Sequence, residues 1–145
     1  MANGHFVDTN ILVYAYDSSA GLKRQKSIDL LRHLWTERTG FLSIQVLQEF
    51  YVTVTRKINK PITPENAARI IRNFEAWPIH CPDVRDIVEA IRIQQKLSIS
   101  FWDAMIICSA VCTDCEVLWT EDLNTGQRYG QLEIKSPFKD LSSFP

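Results

Sequence analysis

The chain has 145 residues, of which 46% are hydrophobic and 23% charged, with a formal net charge of −1. That length suits one domain with a buried core, and the composition is that of a globular protein. The near-neutral total excludes a global basic field for polyanions, although a local basic patch does not show in such a sum.

In chain order, residues 5–8 read as a short buried strand, and an apolar run from Ile11 to Tyr16 follows. Residues 21–38 read as a helix, with Ile28, Leu31, Leu34 and Trp35 at helical spacing, closed by Gly40. The stretch "FLSI" (41–44) is a second strand, and 45–57 a helix on which Val46, Phe50, Val54 and Ile58 share one face. Thr63 and Pro64 open a helix over 63–77. "WPIHC" (77–81) is an edge strand because of Pro78. Residues 83–97 have a helical period, and Ser100 opens the most apolar helix, Ala104 to Val111. "VLWT" (117–120) and, more weakly, "LEIKSPF" (132–138) complete the strands.

Strands alternating with helices predict a short, mostly parallel central sheet covered on both faces, an α/β/α sandwich in one domain spanning 1–145. No apolar run approaches the ~18–20 residues of a membrane helix. The first strand starts too early to leave space for a leader segment. A cytoplasmic protein without membrane contact is expected.

Cys108, Cys112 and Cys115 lie within eight residues, at spacings that place them on one helical face, and the last two form a C-x-x-C; Cys81 stands apart. A metal or redox site would need a fourth ligand nearby, a second C-x-x-C or paired histidines, and the sequence shows none of these. The cysteines therefore read as small buried residues on an apolar helix.

Four acids fall where charge is costly. Asp8 ends the first strand, Glu49 flanks an apolar helix face, Asp103 sits in the first turn of the apolar helix, and Asp122 follows the strand 117–120. Each has a plain structural explanation. Asp8 can cap a helix, Asp103 can pair with Ser100 in a capping box, Glu49 can be solvated, and Asp122 can form a turn. As a set they converge on the carboxyl ends of a parallel sheet, where such folds bind ligands. Clustered like charges require a compensating cation, and an all-carboxylate donor set suits a hard divalent ion such as Mg²⁺ or Mn²⁺. Waters held by such an ion are suited to phosphodiester hydrolysis. There is no GxxxxGK[ST] loop.

The segments "FVDTNILVYAYD", "SIQVLQEFYVTVTRK", "SFWDAMIICSA" and "LWTEDL" resemble, in order, the motifs of the PIN-domain nucleases, most closely the VapC-type toxins of bacterial toxin–antitoxin pairs. The resemblance implies that Asp8, Glu49, Asp103 and Asp122 form the catalytic, metal-binding quartet, with Asp8 and Asp103 the most direct ligands. Asn10 would hold Asp8 in place, and Thr120 would be the hydroxyl preceding the last acid; Glu121 competes with Asp122 for that last position. The implied activity is metal-dependent hydrolysis of RNA to 5′-phosphate and 3′-hydroxyl ends, with Glu49 or Asp122 orienting the water or holding a second ion. Implied partners are a small VapB-like antitoxin, whose tail fills the acidic groove, and a second copy of the chain.

Arg56, Lys57 and Lys60 form a candidate RNA contact, with Lys23, Arg24 and Lys26 as a second group; cations at a helix end are otherwise ordinary. Trp35, Trp77 and Tyr51 could serve an interface, but core packing is the better explanation for each. Two further readings stay open: an RNA-processing PIN nuclease that is not a toxin, and a PIN-like binding module that has lost catalysis, against which the intact quartet argues. Haloacid-dehalogenase chemistry requires an Asp where Asn10 stands, and receiver domains require an acid pair and a later lysine that are not evident.

Overall fold

The computed structural model describes residues 3–139. A six-stranded sheet forms the middle layer: β1 (Gly4–Val7), β2 (Gly40–Ser43), β3 (Ile79–His80), β4 (Cys115–Trp119), β5 (Arg128–Tyr129) and β6 (Leu132–Lys135). The spatial order is β3-β2-β1-β4-β6-β5. Four neighbouring pairs run parallel and only β5–β6 is antiparallel. Six helices connect and cover it: α1 (Thr9–Tyr16), α2 (Leu22–Glu37), α3 (Ile44–Arg56), α4 (Pro64–Asn73), α5 (Val84–Leu97) and α6 (Phe101–Cys112).

β1, in the middle, has β2 on one side and β4 on the other, so the order of strands reverses between β1 and β4. A crevice opens beyond the carboxyl ends at such a switch point. Phe6, Val7, Leu42, Leu118 and Ile134 bury the sheet, and Leu12, Leu34, Phe50, Ile93 and Ile107 cover it from the helices. With both sides covered, the strands read as apolar runs rather than as alternating patterns. No helix of the described residues is long and apolar enough to cross a membrane.

Helix starts follow side-chain chemistry. Ser43, Thr63 and Ser100 accept backbone N–H bonds at the first turns of α3, α4 and α6, and Asp83 with Asp86 completes a capping box on α5. Gly40 is required by packing, since a Cβ there would lie 2.5 Å from the Trp77 ring.

Several boundaries differ from the sequence reading. The expected helix over 63–77 stops at Asn73 and continues as one 3₁₀ turn, Phe74–Ala76, before Pro78. The edge strand shrinks to Ile79–His80, and the last parallel strand ends at Lys135 because Ser136 and Pro137 break the ladder. The hairpin strand β5 carries no alternating pattern and was not anticipated. Cys115 is not on a helix with Cys108 and Cys112; it starts β4, fully buried, while Asp114 turns the chain at φ 56°. Of the three aromatics considered for an interface, Trp77 is buried, whereas Trp35 and Tyr51 are exposed.

Candidate active site

Asp8 follows β1 directly and is the N-cap of α1, so the strand end and the helix start hold it in one place. Its side chain is 4% exposed. The Thr9 backbone N–H donates to Oδ1 at 2.7 Å, and the Thr120 hydroxyl donates to Oδ2 at 2.7 Å. The same Thr120 oxygen accepts the Asp122 N–H at 3.1 Å. One buried hydroxyl at the end of β4 therefore ties the first acid to the backbone of the last. Asp103 lies in the first turn of α6, where its N–H is capped by Ser100 Oγ at 3.0 Å.

Asp8, Asp103 and Asp122 each offer a carboxylate oxygen, and these lie within 4.8 Å of one another. Burial raises the Asp8 pKa to about 7, with the charges of Asp122 and Asp103 adding to it against the two hydrogen bonds. Burial likewise raises that of Asp103, reinforced by Asp122 and Glu49. Three carboxylates gathered this closely form a site short of positive charge. The donor set is all oxygen, and each Asp8 oxygen retains a second lone pair beside its hydrogen bond, so the residues fit a hard divalent cation.

Glu49 is adjacent to this trio without belonging to it. Its Oε1 accepts the Thr9 hydroxyl at 2.6 Å, and its Oε2 accepts the Gln45 amide at 3.2 Å. The Gln45 amide also donates to the Trp102 carbonyl at 3.2 Å, linking α3 to the start of α6. The four acids open into one cleft of about 680 Å³, lined also by Asn10, Tyr14, Trp102 and Lys57.

Three expectations are modified by this geometry. Asn10 makes no hydrogen bond to Asp8; both its amide atoms are buried without a partner at the cleft, and Thr9 and Thr120 do the holding. Glu121 is taken out of competition with Asp122, because it accepts from the Tyr14 hydroxyl and pairs with Lys23. Burial alone would raise the Glu121 pKa, but those two partners outweigh it and hold the carboxyl below its ordinary value. Of the Arg56, Lys57 and Lys60 group, Lys57 lines the cleft, whereas Arg56 and Lys60 are exposed outside its lining.

Sequence reasoning missed Thr9, Gln45 and Trp102. Gln45 stands four residues before Glu49, a spacing at which helical side chains meet, so that one had a signal. The Thr9 hydroxyl and Trp102 had none, since Glu49 and Gln45, which they meet, are distant in the chain.

The fold has counterparts among solved structures. VapC20 of Mycobacterium tuberculosis, a sarcin–ricin-loop-cleaving toxin, superposes with a TM-score of 0.65 at 17% identity, covering 82% of this chain and 90% of that one. A DNA-bound VapBC from Salmonella typhimurium gives 0.65 at 16% identity over 93% and 98% of the two chains. VapBC-1 of nontypeable Haemophilus influenzae gives 0.62 at 20% identity over 93% and 98%. At such identities the likeness is one of fold. No curated protein matches the sequence. The PIN domain family, however, matches residues 5–129, and with the acids of β1, α3, α6 and β4 gathered at one switch-point cleft, the chain belongs to the PIN domain family.

Proposed function

We propose that the protein is a metal-dependent endoribonuclease acting as the toxin of a type II toxin–antitoxin pair. The observation that carries the reading is the convergence of Asp8, Asp103 and Asp122 within 4.8 Å at the carboxyl ends of β1 and β4. Asp8, Asp103 and Asp122 would hold Mg²⁺ or Mn²⁺, with Glu49 beside them. The chemistry such a cation supplies is neutralisation of phosphate charge and acidification of bound water.

The chain's own residues supply the rest. The Thr120 and Thr9 bonds keep Asp8 oriented without a rotamer search. Glu49, fixed by Thr9 and Gln45, is placed to accept a proton from an attacking water or to orient it. Lys57 faces the same cleft as a cation for a neighbouring phosphate, and Trp102, 61% exposed, offers a face on which a base can stack. The toxin–antitoxin and VapBC neighbours support an antitoxin as partner; RNA as substrate and a second copy of this chain as a further partner belong to the same reading.

The test is cleavage of a mixed RNA pool with Mg²⁺, Mn²⁺ or chelator, for wild type, Asp8→Asn and Asp103→Asn. Metal-dependent internal cuts that both substitutions abolish, in proteins with unchanged circular dichroism, are expected. Cleavage that ignores chelator or survives both substitutions rejects the mechanism. Growth arrest on induction, relieved by Asp103→Asn, tests the toxin role.

A further inference from the structure

A second constellation lies on the far side of α6, outside the acidic cleft. His80 ends the edge strand β3, Asp86 is in the first turn of α5, and Cys112 closes α6. The fold brings these three chain segments together at one place. His80 Nε2 is 3.3 Å from Asp86 Oδ2, and Cys112 Sγ is 3.2 Å from Asp86 Oδ1. One ligand atom from each of the three lies within 4.8 Å of the others. The side chains of His80 and Asp86 are 15% and 16% exposed, and Cys112 is at the surface, so the group can be reached from solvent.

We infer that His80, Asp86 and Cys112 form a binding site for a borderline transition-metal ion, Zn²⁺ being the fitting case, with its fourth position open to solvent. Nitrogen, thiolate and carboxylate donors are the ones zinc selects, and they differ in kind from the all-oxygen cleft. The separations of 3.2 Å from Cys112 Sγ to Asp86 Oδ1 and 3.3 Å from His80 Nε2 to Asp86 Oδ2 fall at or just below the roughly 3.3–3.8 Å edges of a tetrahedron built on zinc bonds of about 2.0–2.3 Å, so a small outward shift of the side chains admits the ion.

The surroundings fit as well. His80 Nδ1 is 2.8 Å from the hydroxyl of Ser109, a residue with no exposed surface. A ring that donates from Nδ1 to Ser109 directs the Nε2 lone pair at the Asp86 carboxylate. In that tautomer two lone pairs face each other at 3.3 Å, an arrangement that a proton or a metal cation resolves, and a histidine tethered through its other nitrogen is the usual support of a ligating imidazole. Asp86 is itself fixed by the Asp83 N–H at 2.9 Å. Cys108 lies 4.0 Å from Cys112 but is buried, with its thiol directed at the Asp86 carbonyl, and stays outside the ligand set.

The position gives the ion a role. Cys112 is nine residues after Asp103 on α6, roughly 13 Å along the helix axis. An ion there would join the end of α6 to α5 and to the sheet edge, and so stiffen the helix that carries Asp103.

Cobalt(II) is the probe, because a thiolate ligand produces a near-ultraviolet charge-transfer band and an all-carboxylate site does not. Purified full-length protein titrated with Co²⁺ is expected to develop this band to saturation, and Zn²⁺ to bleach it. Cys112→Ser should abolish it; Cys112 is exposed, so the fold should survive, as circular dichroism will show. His80→Gln and Asp86→Asn should each weaken Zn²⁺ binding at least ~10-fold in competition with a chromophoric chelator, and Ser109→Ala about 10-fold. Cys81→Ser, Cys108→Ala, Asp8→Asn and Asp103→Asn should retain the band. No band with Co²⁺ in excess, a band that persists in Cys112→Ser, or a band lost in Cys108→Ala overturns the assignment.

Discussion

The Thr120 hydroxyl donates to Asp8 Oδ2 at 2.7 Å and accepts the Asp122 N–H at 3.1 Å, so one buried oxygen sets the spacing between two acids 114 positions apart in the chain. Replacing Thr120 by Val keeps shape and removes the donor. The buried carboxylate then loses a charge-assisted bond, with an expected cost of about 1–3 kcal/mol in the presence of metal and a further rise in the Asp8 pKa. Thr120→Ser should restore most of both. Chemical denaturation with saturating Mg²⁺ measures the first, and the pH profile of RNA cleavage the second; equal stability of the Val variant and wild type would remove Thr120 from this role.

Asp8 itself predicts an unusual pH dependence of the metal-free fold. Its pKa is about 7 in the folded protein against 3.8 as the ordinary value. Below both values it is protonated in either state and nothing is lost. As pH rises from about 4 to about 7 the unfolded chain ionises first, so the folded state is progressively disfavoured, by an amount on the order of a few kcal/mol. In chelator, the stability of Asp8→Asn relative to wild type should therefore grow over that window and level off above it. A difference that is constant with pH, or that shrinks, contradicts the burial argument.

Metal should cancel that penalty. Mg²⁺ or Mn²⁺ at a hundredfold excess over its dissociation constant should stabilise wild type by about 2.7 kcal/mol near neutral pH, and Asp8→Asn or Asp103→Asn far less. Thermal melting with and without chelator reads this directly. Equal stabilisation of all three proteins would place the ion elsewhere.

The two neighbouring acids should separate cleanly. Asp122 shares the cluster with Asp8 and Asp103, whereas Glu121 is held by Tyr14 and Lys23. Asp122→Asn should reduce the cleavage rate by about 10²-fold or more, the scale for losing an electrostatic group at a reacting centre. Glu121→Gln should cost no more than ~1 kcal/mol of stability, because Lys23 is exposed, and leave the rate within a few-fold. Single-turnover RNA cleavage decides between them, and the reverse ranking would reassign the site.

Gly40 is a packing test independent of the site. A Cβ there would meet the Trp77 ring at 2.5 Å, and that ring packs against Phe74 and Trp35. Gly40→Ala should destabilise by about 1–3 kcal/mol, as overpacking does. A denaturation midpoint equal to wild type would show that the ring moves freely.

What could be read directly was whatever depends on neighbours in sequence. The helical period placed α2, α3 and α5, the Ser100 cap placed α6, and buried apolar runs placed β1 and β4, since local propensity and burial act over a few residues. The acids Asp8, Glu49, Asp103 and Asp122 stood out because charge beside apolar runs is costly. Tertiary structure decided what those acids do to one another. Asp8, Asp103 and Asp122 form the tight cluster, Glu49 is held to one side by Thr9 and Gln45, and Glu121 is diverted by Tyr14 and Lys23. The Asn10 amide finds no partner in Asp8, although it is only two residues away. His80 and Asp86, the ligands that the cysteines of α6 lacked in the sequence, arrive from β3 and α5. Apart from the local Gln45–Glu49 and His80–Asp86 pairs, these contacts join residues tens of positions apart, and the closing of the sheet between β1 and β4, with α5 packed on α6, brings them within range.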